Sequence, residues 1–219
     1  MLSLGHGTTT DKGLFMLNYH RYGQGPALVM QHGFLGGGGY FATQMAGFGR
    51  QFDIIAPDLP GFAGSAAEPA VDSIKALSDA QVGLLDALGI ADFHLLGHSM
   101  GGMVALQTAL DHPDRVRSLV LYATHFSGNL RGRFETFEET ARRTSAEGVE
   151  ALASRVTATW FADLDAAPMY DFCLNAGRGA SEAAVMGAIK AFQTFDVAAR
   201  MDELRLPTLV IAGERDRSY

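Results

Sequence analysis

The chain has 219 residues, 47% hydrophobic and 19% charged, which is enough for one sizeable domain with its own core and excludes a disordered chain. A net charge of -7 and a pI near 5.4 argue against nucleic acid as a partner, and no stretch of eighteen apolar residues marks a membrane span. The single Cys173 excludes an internal disulfide, and no basic segment precedes an apolar run as in a signal peptide; both point to the cytoplasm.

Leu14 to Tyr22 has the pattern of a strand and ends at the turn signal Gly23-Gln24-Gly25-Pro26. Ala27 to Gln31 is a short apolar strand suited to a buried parallel sheet. His32-Gly33-Phe34-Leu35-Gly36-Gly37-Gly38-Gly39 follows, a loop whose glycines let backbone amides approach a ligand. A phosphate loop fails on detail, because no Lys-Ser or Lys-Thr pair closes the pattern. The better functional reading is half of an oxyanion hole, with the Phe34 amide as donor. Tyr40 to Phe48 suits a short helix, and Phe52 to Phe62 a strand and its turn, with Pro57 and Pro60 stopping the strand. Asp58 is expected to hydrogen-bond the turn made by Pro60-Gly61. Asp72 or Ser73 can cap a helix running to Leu88, with Ile74, Leu77, Leu84 and Leu85 largely on one face and Gly89 closing it.

Phe93-His94-Leu95-Leu96-Gly97-His98-Ser99-Met100-Gly101-Gly102 organises the rest. A short apolar run enters Gly-x-Ser-x-Gly and a helical pattern follows at once, which is the signature of a nucleophile elbow. Ser99 must then adopt a strained backbone so that its hydroxyl projects into a cleft, and Gly97 and Gly101 fall where a Cβ would collide. The Met100 amide heads the new helix and suits a second oxyanion donor. Met103, Leu106 and Leu110 continue the helix to His112-Pro113, and Val116 to Ala123 is a further strand. Strands alternating with helices imply an α/β fold, a mostly parallel sheet with helices on both faces. His32, Ser99 and His125 all follow strands at the carboxyl edge, where such sheets bind ligands.

From Phe126 to about Arg200 the pattern is helix after helix. Thr144-Ser145-Ala146-Glu147 fits a capping box, and Ser181 can cap a helix carrying Val185, Ile189 and Phe192. The division expected is a core at 1–125, an inserted helical lid at 126–200, and the core resumed at 201–219. Trp160 is read first as lid core; with His32, Leu35 and His125 it is also a candidate for lining the substrate pocket. Thr208 to Ala212 is a short strand, and Gly213 opens a turn that presents Asp216.

These pieces in this order resemble the α/β-hydrolase family. The likeness rests on His32-Gly33-Phe34, Asp58-Leu59-Pro60-Gly61-Phe62, Gly97 to Gly102, and Pro207 to Asp216. It implies Ser99 as nucleophile, Asp216 as the acid that orients a histidine, and the Phe34 and Met100 amides as oxyanion donors, with no cofactor or metal. Trp160-Phe161, Phe195-Asp196-Val197-Ala198-Ala199-Arg200 and Leu204-Arg205-Leu206-Pro207 are most similar to 3-oxoadipate enol-lactonases. The implied reaction is cleavage of a small carboxylic ester or lactone through an acyl-enzyme. Carboxylesterases, cofactor-free haloperoxidases and carbon–carbon bond hydrolases share the motifs, and a non-catalytic ligand-binding protein of the same fold is the alternative of another class.

The family's catalytic histidine follows one more strand after the acid, whereas no histidine follows His125 here. The last strand and helix and the base are therefore expected to be absent from this chain, as in an incomplete copy of a longer hydrolase. His125 is the one serious substitute, although lining the pocket suits it better; His98 is expected to point away from Ser99, and His94 and His98 lie on a strand rather than on a zinc-binding helix. The strand Thr208 to Ala212 is expected to be an exposed apolar edge that invites self-association.

Overall fold

The computed structural model describes residues 3–6, 15–129 and 133–216. Seven strands form one sheet: β1 (Ser3–His6), β2 (Asn18–Gly23), β3 (Ala27–Gln31), β4 (Asp53–Pro57), β5 (Phe93–His98), β6 (Val116–Tyr122) and β7 (Thr208–Ile211), in the order β1-β2-β4-β3-β5-β6-β7. β2 is antiparallel to both neighbours, and every pairing from β4 to β7 is parallel. Helices α1 (Ala42–Phe48), α2 (Ile74–Ala87) and α3 (Met100–Asp111) connect the parallel strands. Burial of Val29, Ile54, Ile55, Phe93, Leu95 and Leu119 explains why these short apolar runs fold as central strands. Ser73 is the cap of α2, its Oγ accepting the Ala76 N–H at 3.1 Å.

The register fixes where the loops emerge. Gln31 is opposite Gly97, and His98 is opposite Tyr122, so the chain leaves β3, β5 and β6 at one edge. Between β6 and β7 come α4 (Phe137–Glu147), α5 (Val149–Ala158), α6 (Tyr170–Ala176) and α7 (Glu182–Thr194). This insertion enters and leaves through a paired neck: the Gly128 N–H donates to Phe195 O at 2.8 Å and the Val197 N–H to Phe126 O at 3.0 Å.

Three local expectations change. Thr144-Ser145-Ala146-Glu147 does not start a helix. It is the last turn of α4, Thr144 Oγ1 donates back to Thr140 O at 2.7 Å, and Thr136 caps α4 by accepting the Glu139 N–H at 3.1 Å. Gly148, at φ 86, then breaks α4 from α5, a backbone state that glycine adopts without penalty. The second strand begins at Asn18, because Leu17 turns into the core and the ladder to β4 starts only at Tyr19; Leu14 lies outside the described residues. Asp58 does not bond the Pro60-Gly61 turn. Its buried carboxylate accepts from Asn18 Nδ2 at 2.6 Å, Gly38 N at 2.6 Å and Gly64 N at 3.0 Å, so it ties three separate segments together.

No helix among the described residues is long and apolar enough to cross a membrane. Among the described residues β7 is the edge of the sheet, and Leu209, Val210 and Ile211 are 56%, 66% and 42% exposed. We propose that the 219-residue chain self-associates through this strand, since an apolar edge with unmet backbone groups is a template for another strand. Light scattering is expected to give a mass above that of a monomer, and Val210→Lys to return the monomer; a wild-type monomer would refute this.

Candidate active site

β5 rises into a turn at Ser99, whose backbone sits at φ 54, ψ -122, and α3 starts at the next residue. Non-glycine residues seldom occupy that region, so the conformation is held by its surroundings. The Ser99 N–H donates to Tyr122 O at 2.9 Å, and Ser99 O accepts Thr124 Oγ1 at 2.7 Å and the Gly102 N–H at 2.8 Å. The flanking glycines are required by space. A Cβ on Gly97 would lie 2.2 Å from Gly101 O, and one on Gly101 would lie 2.3 Å from Gln31 O and 2.4 Å from His32 O.

The loop after β3 lies against the elbow. A Cβ on Gly33 would stand 2.9 Å from Ser99 Cβ, 3.0 Å from His98 O and 3.4 Å from His98 Nδ1. Phe34, one residue on, is therefore beside Ser99, and its ring packs against Phe62 and Phe192 with centroids 6.3 and 5.7 Å away. Leu35 is buried at φ 55, and the Gly36 N–H closes back on Gly33 O at 3.0 Å. The Met100 N–H belongs to the first turn of α3, where the helix itself offers no acceptor.

His32 is fully buried. Its Nε2 accepts the Leu59 N–H at 2.9 Å, so its Nδ1 carries the proton and donates to Gly33 O at 2.8 Å. Burial holds its pKa below the usual histidine value, against the pull of Asp58. With both nitrogens committed, His32 braces the loop and offers no polar atom to a ligand. His125 stacks on Phe126 at 4.3 Å, and its Nδ1 faces Ser127 N and O at 3.2 and 3.1 Å, a contact with the neck of the insertion.

Tyr40, His98 and Trp160 form a cluster that sequence patterns did not single out as a unit. The Tyr40 hydroxyl accepts the Gly33 N–H at 2.8 Å and is hydrogen-bonded to His98 Nδ1 at 2.9 Å. Trp160 sets its ring edge-on to both, with centroids 6.0 Å from Tyr40 and 5.8 Å from His98. Lost hydration pushes the His98 pKa down to about 4, while the Asp216 carboxylate pulls it up and His32 pushes it further down. Asp216 thus lies within electrostatic reach of the residue preceding Ser99, in a turn in which its N–H donates to Gly213 O at 3.1 Å.

The sign of the His98 shift sets an acid sensitivity. Unfolded, the ring protonates near its ordinary value of about 6.5, whereas in the fold it stays neutral down to about 4, so stability falls as pH drops between the two. The melting temperature is expected to fall between about pH 7 and pH 5, and to fall less in His98→Asn, which cannot titrate. Equal losses in both proteins would remove His98 as the cause. Trp160 is the only tryptophan of the chain. Its fluorescence is expected to be quenched as the neighbouring His98 ring becomes cationic, with a midpoint near 4 that disappears in His98→Asn.

The insertion closes on this loop through glycine as well. A Cβ on Gly177, just after α6, would lie 2.1 Å from Leu35 O, and one on Gly37 would lie 2.2 Å from Ala176 O. A cavity of about 380 Å³ is lined by Gly177 together with Val149, Ala153 and Arg178; Ser99 does not line it.

The sequence profile of the alpha/beta hydrolase fold matches residues 26–218. The proposed carbamate hydrolase RutD of Pseudomonas savastanoi pv. phaseolicola is 30% identical over 90% of this chain and 78% of its own length. A 2-hydroxy-6-oxo-6-phenylhexa-2,4-dienoate hydrolase of Comamonas testosteroni is 28% identical over 94% of this chain and 77% of its own. Among solved structures, the enol-lactonase from Burkholderia xenovorans LB400 superposes with a TM-score of 0.80 at 25% identity, over 90% of this chain and 78% of that one. The profile match over most of the chain, the sheet order and the strained turn before α3 agree, and the chain belongs to the α/β-hydrolase family of enzymes.

Proposed function

We propose that this hydrolase is a serine hydrolase that cleaves a small carboxylic ester or lactone through an acyl-enzyme. The observation that carries the reading is the close approach of Ser99 to Gly33, where an added Cβ would stand 2.9 Å from Ser99 Cβ; it sets a serine at φ 54 on the head of α3 beside the loop that bears the Phe34 amide. In this scheme Ser99 Oγ attacks the carbonyl and its proton passes to a histidine oriented by Asp216, for which His125 is the candidate within these 219 residues. The oxyanion that develops is held by the Phe34 and Met100 N–H groups and by the positive end of α3, each donor contributing on the order of 3 kcal/mol to the barrier. Water then releases the acid. No cofactor enters the scheme. Residues 126–200 act as the lid and choose the substrate, with Leu35, His125 and Trp160 nearest the pocket and His32 behind the loop. The name of the enol-lactonase from Burkholderia xenovorans LB400 favours the lactone, and that of the RutD relative a carbamate as the second reading, since a serine attacks both carbonyls in the same way.

A fluorophosphonate tests the reading. Rapid covalent labelling that is lost in Ser99→Ala is expected; equal labelling of both proteins, or none of the wild type, would leave the non-catalytic ligand-binding protein as the better reading. Competition of that labelling by lactones, simple esters and carbamates then ranks the substrate classes.

A further inference from the structure

The loop that follows β3 is nearly bare of side chains that could hold it. Between His32 and Gly39 only Phe34 and Leu35 are not glycine, and both of their side chains are buried. Its far end is tied by the Gly38 N–H to Asp58 Oδ1 at 2.6 Å. Its near end, the part against Ser99, is held at Gly33 O by the neighbouring His32 Nδ1 at 2.8 Å and is tied across to the elbow by one side-chain hydroxyl. The Tyr40 ring lies inside the curl of the loop, where a Cβ on Gly36 would be 2.5 Å from its Cε1. From there its hydroxyl takes the Gly33 N–H at 2.8 Å and reaches His98 Nδ1 at 2.9 Å.

We propose that Tyr40 is a positioning residue that sets the spacing of the oxyanion hole, its hydroxyl clamping Gly33, the residue before the Phe34 donor, to His98, the residue before Ser99. This rests on the serine-hydrolase reading above. The clamp joins the two pieces that must act together on one carbonyl: the first donor comes from the loop, and the nucleophile and second donor come from the elbow. The β3–β5 ladder, with Gln31 opposite Gly97, sets the two strand ends side by side, and beyond it one hydroxyl bonded to both segments fixes the separation of Gly33 and His98. Trp160 packs edge-on against both rings of the clamp, so the insertion covers it. Misplacement of a donor by about an ångström is enough to cost on the order of a hundredfold in rate, so loss of this hydroxyl falls on the reactive step rather than on binding.

The test is the saturable labelling of Ser99 by a fluorophosphonate in the whole 219-residue chain, which separates the maximal rate from the affinity. Tyr40→Phe keeps the ring against Gly36 and removes the hydroxyl. It is expected to lower the maximal rate by about tenfold or more while the half-saturating concentration moves less than about twofold. His98→Leu removes the other end of the clamp and is expected to match it. His98→Asn, whose Oδ1 can stand where Nδ1 stood and accept the hydroxyl, is expected to restore most of the rate. The double variant Tyr40→Phe, His98→Leu is expected to be no slower than either single one, because both break the same link. Independently of reactivity, exchange of the Gly33 amide hydrogen is expected to quicken by about tenfold or more in Tyr40→Phe. A Tyr40→Phe protein that melts lower but labels at the wild-type maximal rate would overturn the proposal and leave the serine-hydrolase reading standing. So would additive rate losses in the double variant. A wild type that is not labelled would instead defeat the serine-hydrolase reading, and the positioning role with it, while Gly33 exchange would still report the clamp as a structural link.

Discussion

Replacing Ser99 by glycine is expected to give a protein that is more stable than the wild type and chemically inert. The backbone at this position sits at φ 54, ψ -122, which costs a residue with a Cβ about 1–3 kcal/mol and costs glycine almost nothing. Glycine adds conformational freedom to the unfolded chain, which takes back up to about 1 kcal/mol. The net gain expected is about 1 kcal/mol, or a rise of about 2–4 °C in melting temperature for a domain of this size. Ser99→Ala keeps the strain and is expected to melt close to the wild type. Both variants lose the attacking oxygen, and the rate of labelling or turnover is expected to fall by a factor on the order of a thousand to a million. Scanning calorimetry of the three proteins decides the point. If Ser99→Gly melts no higher than Ser99→Ala, the turn is not strained; if either variant retains the wild-type rate, Ser99 is not the nucleophile.

Gly101→Ala is expected to have the largest effect on the fold itself. Its Cβ would stand 2.3 Å from Gln31 O and 2.4 Å from His32 O, and both are backbone atoms at the end of β3. Neither can rotate away, so α3 would have to part from the sheet at the point where their contact is closest. Overpacking of this kind against backbone is expected to cost about 3 kcal/mol or more, lowering the melting temperature by about 6–12 °C or preventing soluble expression. Gly47→Ala is the matched control. Gly47 lies in α1 with nothing within 4 Å of an added Cβ, so alanine there is expected to be neutral or to stabilise by up to about 1 kcal/mol through helix propensity. Equal losses at the two positions would show that glycine freedom rather than the close approach of α3 to β3 is at work.

Gly101 differs from Gly33 and Gly36 in how far the sequence alone could explain it. Gly101 sits in a motif whose spacing specifies a turn, and that turn brings α3 back along β5 and onto the end of β3. Gly33 and Gly36 lie in a glycine-rich loop whose pattern suggests an oxyanion hole but does not say what each glycine packs against. They are explained only by Ser99 and Tyr40, which the fold sets against them. The same holds for Asp58. A carboxylate two residues before a proline predicts a local turn bond, yet its partners are Asn18, Gly38 and Gly64, two of which come from distant parts of the chain. The capping box at Thr144 fails for a related reason. The tetrad is a genuine local preference, but the longer helix from Phe137, capped by Thr136, absorbs it.

What the sequence determined by itself is therefore what short-range chemistry controls. The alternation of apolar strands and amphipathic helices dictated a parallel sheet, Gly-x-Ser-x-Gly dictated a tight turn before α3, and the order of the motifs identified the family. The tertiary structure decided what depends on groups distant in the chain. His32 was tied down by Leu59, Tyr40 was drawn between Gly33 and His98, and Gly177 was pressed onto Leu35. Backbone conformation is set largely by a residue and its near neighbours, so it leaves a local pattern. A hydrogen-bond partner 27 or 58 positions away leaves none, because it is chosen only when the sheet brings the two loops to the same edge.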